Sequence, residues 1–169
     1  HLDLKFKETT ARVYGEVNAH NSDVEHQRNN PFDLDFHVNV KGKSKDLNAY
    51  LKSKNFLFTS GDFEFSGNYK AQAEDLKLVN PESFGDLKIA NTVVDYKAAQ
   101  LQLPIDSLHL EINNDVASLK TMDIQLPGKS KIYFSGTIDH FSEFINTTDS
   151  LGRHRSDFLI DAPYLDIMN

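Results

Sequence analysis

The chain has 169 residues and a net charge of −7, from 18 basic and 25 acidic side chains. That length fits one domain, or one segment of a longer repetitive one. The acidic balance argues against nucleic acid as a main partner, which needs a basic face. Cysteine is absent, so disulfide frameworks, thiolate zinc sites and cysteine nucleophiles are excluded.

The dominant period along the chain is two. Leu2, Leu4 and Phe6 alternate with Asp3, Lys5 and Lys7. Phe32, Leu34, Phe36, Val38 and Val40 alternate with Asp33, Asp35, His37, Asn39 and Lys41. Each run predicts a strand with one apolar and one wet face. Leu47, Tyr50 and Leu51 fall at i, i+3 and i+4, which predicts a short helix within Ser44 to Lys54. Ser60-Gly61-Asp62 then separates two Phe-rich strands at hairpin spacing.

From about Glu74 to Ile138 the pattern predicts a meander of consecutive strands, with no helical period to suggest a βαβ fold. Asn113-Asn114-Asp115 and Pro127-Gly128 are its turns. The apolar phase changes twice. Leu101, Leu103 and Ile105 are odd, whereas Leu108, Leu110 and Ile112 are even; Ala117 and Leu119 are odd, whereas Met122, Ile124 and Leu126 are even. One misplaced residue would turn a straight strand's apolar set to the wrong face. Bulges near Asp106-Ser107 and Lys120-Thr121 would restore the phase and curve the sheet. Phe141, Phe144 and Ile145 predict a second short helix over His140 to Asn146, with Asp139 as its N-cap. Phe65-Ser66-Gly67-Asn68-Tyr69 resembles Phe134-Ser135-Gly136-Thr137-Ile138, and Phe58-Thr59-Ser60-Gly61 is a looser copy, which suggests strand pairs added in series.

The chain starts at His1, directly before a strand-like run, and ends at Asn169, just after Tyr164-Leu165-Asp166-Ile167. The expectation is a single β-rich segment over 1–169 of a larger protein, with a signal peptide or membrane anchor upstream.

Candidate chemistry is sparse. Asp33, Asp35 and His37 share a strand face at steps of about 7 Å, which a carboxylate–imidazole metal site could use. The same spacing belongs to the solvent face of any amphipathic strand, and that is the reading adopted. His20 and His26 flank a polar loop without a third ligand. No G-x-S-x-G elbow and no Gly-rich phosphate loop is present. No catalytic residue, metal ligand or cofactor is therefore assigned. Arg153-His154-Arg155 is a small basic cluster in a loop, Asn146-Thr147-Thr148 a glycosylation sequon, and Asp106-Ser107-Leu108 and Asp149-Ser150-Leu151 match a short bacterial O-glycosylation pattern.

A family pattern spans much of the second half. Ala73-Glu74-Asp75-Leu76-Lys77-Leu78 is followed by Phe84-Gly85-Asp86-Leu87-Lys88-Ile89-Ala90 and by Leu101-Gln102-Leu103-Pro104-Ile105-Asp106-Ser107-Leu108. Then come Leu119 to Leu126, Ile132-Tyr133-Phe134-Ser135-Gly136-Thr137-Ile138 and Asp161-Ala162-Pro163-Tyr164-Leu165-Asp166-Ile167. This order resembles the C-terminal periplasmic region of AsmA-like proteins of Gram-negative bacteria, of a Bacteroidetes type. The match covers a meander of about 65–145 and C-terminal strands over 155–168, and is weaker over 1–54. The resemblance implies a non-catalytic periplasmic protein tethered to the inner membrane by an N-terminal helix and involved in outer-membrane biogenesis. It implies a U-shaped antiparallel sheet whose apolar face carries phospholipid or another acyl-chain lipid, with envelope proteins as further partners. The floor candidates are Leu108, Leu110, Ile112, Met122, Ile124, Leu126, Ile132, Phe134 and Ile138.

The expected fold is thus all-β with one or two short helices, a curved antiparallel meander forming an open groove. The alternatives are a closed β-sandwich serving as a cell-surface binding or adhesion module, and a lipocalin-like barrel. All require the same alternation.

Overall fold

The structure, a computed structural model, describes residues 2–19, 32–51, 56–74, 77–126, 130–141 and 155–164. Period-two alternation becomes one open antiparallel sheet of ten strands. In chain order they are β1 (Leu2–Phe6), β2 (Thr9–Ala19), β3 (Phe32–Lys43), β4 (Phe56–Phe58), β5 (Asp62–Glu74), β6 (Lys77–Tyr96), β7 (Leu101–Asn113), β8 (Val116–Gln125), β9 (Lys131–Asp139) and β10 (Ser156–Tyr164). The helix α1 (Ser44–Leu51) and a 3-10 turn at Lys97–Ala99 complete the described elements.

Chain neighbours are sheet neighbours from β1 to β10, except at β4. The expected hairpin across Ser60-Gly61-Asp62 does not form. β5 pairs with one half of the long β6 and β4 with the other, at Phe58↔Val94, so the two strands lie end to end. Gly61, at φ 92°, makes the corner between them; a Cβ there would sit 2.6 Å from the Ala90 carbonyl oxygen.

The sheet is curved and does not close into a sandwich or barrel. The two predicted phase changes are present. The β7–β8 register shifts between Ile105 and Ser107, and again between His109 and Leu110 opposite Lys120. The β8–β9 register shifts between Leu119 and Met122. A further irregularity, unforeseen from the sequence, lies between Lys70 and Gln72, opposite Asn80-Pro81 on β6. Proline has no N–H to give to a ladder, so a bulge suits Pro81. The β7–β8 hairpin turns at Asn114, φ 53°, whose side-chain oxygen accepts the Ser83 N–H at 2.8 Å.

Helix α1 forms as expected, but polar groups anchor it. Buried Asp46 accepts the Thr9 hydroxyl at 2.7 Å. Asn48 brackets Phe58 like a strand partner, donating to its carbonyl at 2.8 Å and accepting its N–H at 2.9 Å. The second expected helix falls almost wholly outside the described residues, as do the Pro127-Gly128 turn, His20, His26, the sequon and the loop copy of the glycosylation pattern.

Candidate functional site

Residues opposite each other in an antiparallel ladder project to the same face. Following the register from β1 gives one unbroken row: Leu4, Ala11, Val40, Phe65, Leu87, Leu110, Leu119, Gly136 and Phe158. The row crosses nine strands, and eight strand spacings amount to roughly 38 Å along the sheet. A second row runs Val13, Val38, Gly67, Gly85, Ile112, Ala117 and Ile138. Among the described residues no second layer buries this face.

The face has a packed part and an open part. Val94, Ile105 and Ile124 are buried together, with Phe58, Leu103, Leu108, Met122, Leu126 and Phe134 against them. All nine floor candidates lie on this face, but five of them, Leu108, Met122, Ile124, Leu126 and Phe134, belong to that cluster. Leu110, Ile112 and Ile132 are half-buried and Ile138 is buried.

The open part lies in the N-terminal half, which the floor candidates did not include. A cavity of about 390 Å³ is lined by Leu4, Phe6, Thr9, Ala11, Val40, Phe63, Phe65 and Leu87, with Leu47 of α1 at its side. Leu4 and Phe6 are 52% and 54% exposed. At the far edge Phe158 and Ile160 are 49% and 61% exposed. The sequence signal here was present but diluted. Ala11, Val13, Gly15, Val17 and Ala19 alternate correctly, yet most are too small to stand out as a strand.

The opposite face carries the charges. Lys41–Glu64 at 2.8 Å, Arg12–Asp3 at 2.9 Å and Lys70–Asp35 at 3.4 Å are cross-strand pairs at the surface. His37 sits among them: Nε2 is 3.2 Å from Asp35, Nδ1 is 3.3 Å from the Asn68 amide nitrogen, and the ring stacks on Tyr14 at 5.0 Å. Nδ1 thus has a hydrogen-bond partner, while the Asp35 oxygen beside Nε2 is buried without one. Arg155 pairs with Asp157 at 3.3 Å. Ser107 lies within β7 and donates its hydroxyl to Asp123 at 2.9 Å.

A tighter group was not visible in the sequence. The β6–β7 register sets Asp86 opposite Glu111 and Lys88 opposite His109. His109 Nε2 is 2.8 Å from Asp86 and 4.0 Å from Glu111, and one ligand atom of each residue lies within 4.8 Å of the others. Lys88 approaches Asp86 at 3.3 Å and Lys120 approaches Glu111 at 2.8 Å. Each carboxylate thus already has a cation, and a metal would have to displace both lysines. The His109 hydrogen bond holds the Asp86 carboxyl below its ordinary value; desolvation opposes this and Lys88 reinforces it.

No protein-family model, curated protein or solved structure matches this chain. Among the described residues no helix is long and apolar enough to cross a membrane.

Proposed function

We propose that this protein is a non-catalytic segment of an AsmA-like envelope protein. In this reading its apolar sheet face shields phospholipid acyl chains as they move between membranes. The observation that carries it is the continuous apolar row from Leu4 to Phe158, which no second layer among the described residues covers, with an open cavity at Leu4, Phe6, Phe63 and Phe65. Soluble proteins seldom leave large contiguous apolar surface exposed unless it binds something. Each methylene removed from water contributes about 0.8 kcal/mol, so a dozen shielded methylenes need no specific polar contact. The strand-order resemblance adds the periplasmic setting, the inner-membrane tether and the role in outer-membrane biogenesis.

The test is binding of a fluorescent fatty acid to detergent-free protein. The reading expects saturable binding, lost in Leu4→Asp and in Phe6→Asp while far-UV circular dichroism is unchanged. These exposed positions tolerate charge, whereas Ile124→Asp would bury a carboxylate in the packed cluster. Absence of binding by the wild type would refute the reading.

A further inference from the structure

The polar face holds a concavity of about 490 Å³ that the lipid reading does not use. Its residues come from five strands in register: Tyr14 faces His37, His37 faces Asn68, Asn68 faces Phe84, and Phe84 faces Asn113. We propose that this concavity is a binding site for a short neutral oligosaccharide, held between the rings of Tyr14 and Phe84.

Three observations carry this. First, two exposed aromatic rings line this concavity, Tyr14 at 42% and Phe84 at 45%, whereas Tyr133, 37% exposed on the same face, lies outside it. The sheet's own packing does not require an exposed phenyl ring there. Tyr14 is stacked on His37 at 14° between planes, and His37 is held by Asn68 at Nδ1, so one face of the Tyr14 ring is backed. The two rings are three strand spacings apart, about 14 Å. Flat rings of this kind pack on the C–H faces of sugar rings, whose hydroxyls stay free at the edge.

Second, the floor between the rings supplies hydrogen-bonding groups. Asn39, Ser66 and Asn113 line it, and their side chains hydrogen-bond no other described residue. A site with several unengaged amides and hydroxyls suits a ligand rich in hydroxyls. Third, the lining offers an anion no cation, since Lys88 and Lys120, which pair with its two carboxylates, are not part of it. Asp86 and Glu111 line the concavity, and neither lysine nor arginine does. Phosphate and carboxylate ligands are thereby disfavoured, while sugar hydroxyls can donate to these carboxylates. The volume lies within the usual range for small-molecule sites.

The test is an amide NMR titration with chitotetraose, cellotetraose and maltotetraose, and with tetraalanine and inorganic phosphate as comparators. At least one saccharide should shift the Tyr14, His37 and Phe84 signals saturably. Phe84→Ala should weaken that binding about tenfold, and Phe84→Leu, which keeps the bulk but not the flat ring, should weaken it similarly. Phe84→Tyr should retain it, and fatty-acid binding on the other face should be unchanged in all three. The proposal is overturned if no saccharide shifts these signals, if only tetraalanine or phosphate does, or if Phe84→Leu binds as well as the wild type.

Discussion

Gly67 and Gly85 face each other across β5 and β6, and the ring of Phe65 lies over both. A Cβ built on either glycine would come within 2.9 Å of that ring. The missing side chains let Phe65 lie flat along the apolar floor, the arrangement by which an aromatic neighbour covers strand glycines. Gly85→Val should therefore push the ring out of place and destabilise the protein by about 1–3 kcal/mol. Urea denaturation measures this. An unchanged midpoint would show that the floor yields freely at this point.

The buried Thr9–Asp46 contact ties the start of helix α1 to β2. Thr9→Val is nearly isosteric but leaves the Asp46 carboxylate, 7% exposed, without the hydroxyl that now donates to it. The expected cost is about 1–3 kcal/mol, because the buried acceptor loses its partner. Thr9→Ser should lose much less. Thermal unfolding of the three proteins side by side tests this ranking, and equal losses in both variants would count against it.

The Asp86–His109 pair predicts a pH effect with a definite sign. The folded-state value of Asp86 lies below the ordinary 3.8. Its contribution to stability is therefore present above that value and is lost as pH falls through the depressed one. Both side chains are about a third exposed, so solvent screens the pair, and the titration midpoint is a better readout than stability. His109→Ala should move the Asp86 carboxyl midpoint upward in a carbon-detected NMR titration. A midpoint that stays put would assign the shift to Lys88 instead.

Much of this fold was legible because alternation is a strong signal where the apolar residues are large. Phe32 to Val40 and Leu108 to Ile112 announced both strand and facing. The parity changes at Ile105/Leu108 and Leu119/Met122 announced the bulges, because only an irregularity lets both sets share one face. The end-to-end placing of β4 and β5 was not legible. Ser60-Gly61-Asp62 looks like a hairpin turn locally, and the competing partner, β6, is chosen by pairing about thirty residues away. The same limit hid the site residues. Asp86 and His109 are 23 residues apart, and Tyr14 and Phe84 lie on strands separated by two others, so only the register brings each pair together.

Strand β10 predicts self-association. Among the described residues it pairs only with β9, and it presents Phe158, Leu159 and Ile160, at 49%, 67% and 61% exposure, along an edge. Such an edge is a template for another strand. In an antiparallel pairing of two copies centred on Phe158, Arg155 of each falls opposite Asp161 of the other; centring on Leu159 would instead oppose Asp157 to Asp161. The first register is therefore favoured. Analytical ultracentrifugation should show a concentration-dependent dimer that Leu159→Lys weakens. A dimer insensitive to that change would place the contact elsewhere.

The proposed function requires the apolar face to stay open and hold acyl chains. Native mass spectrometry with lipid extraction, on protein purified without detergent, tests it most directly. Phospholipid or fatty acid should co-purify with the wild type and be absent from Leu4→Asp and Phe6→Asp proteins that retain the wild-type circular dichroism. A clean protein mass for the wild type, unchanged after incubation with phospholipid vesicles, would contradict it.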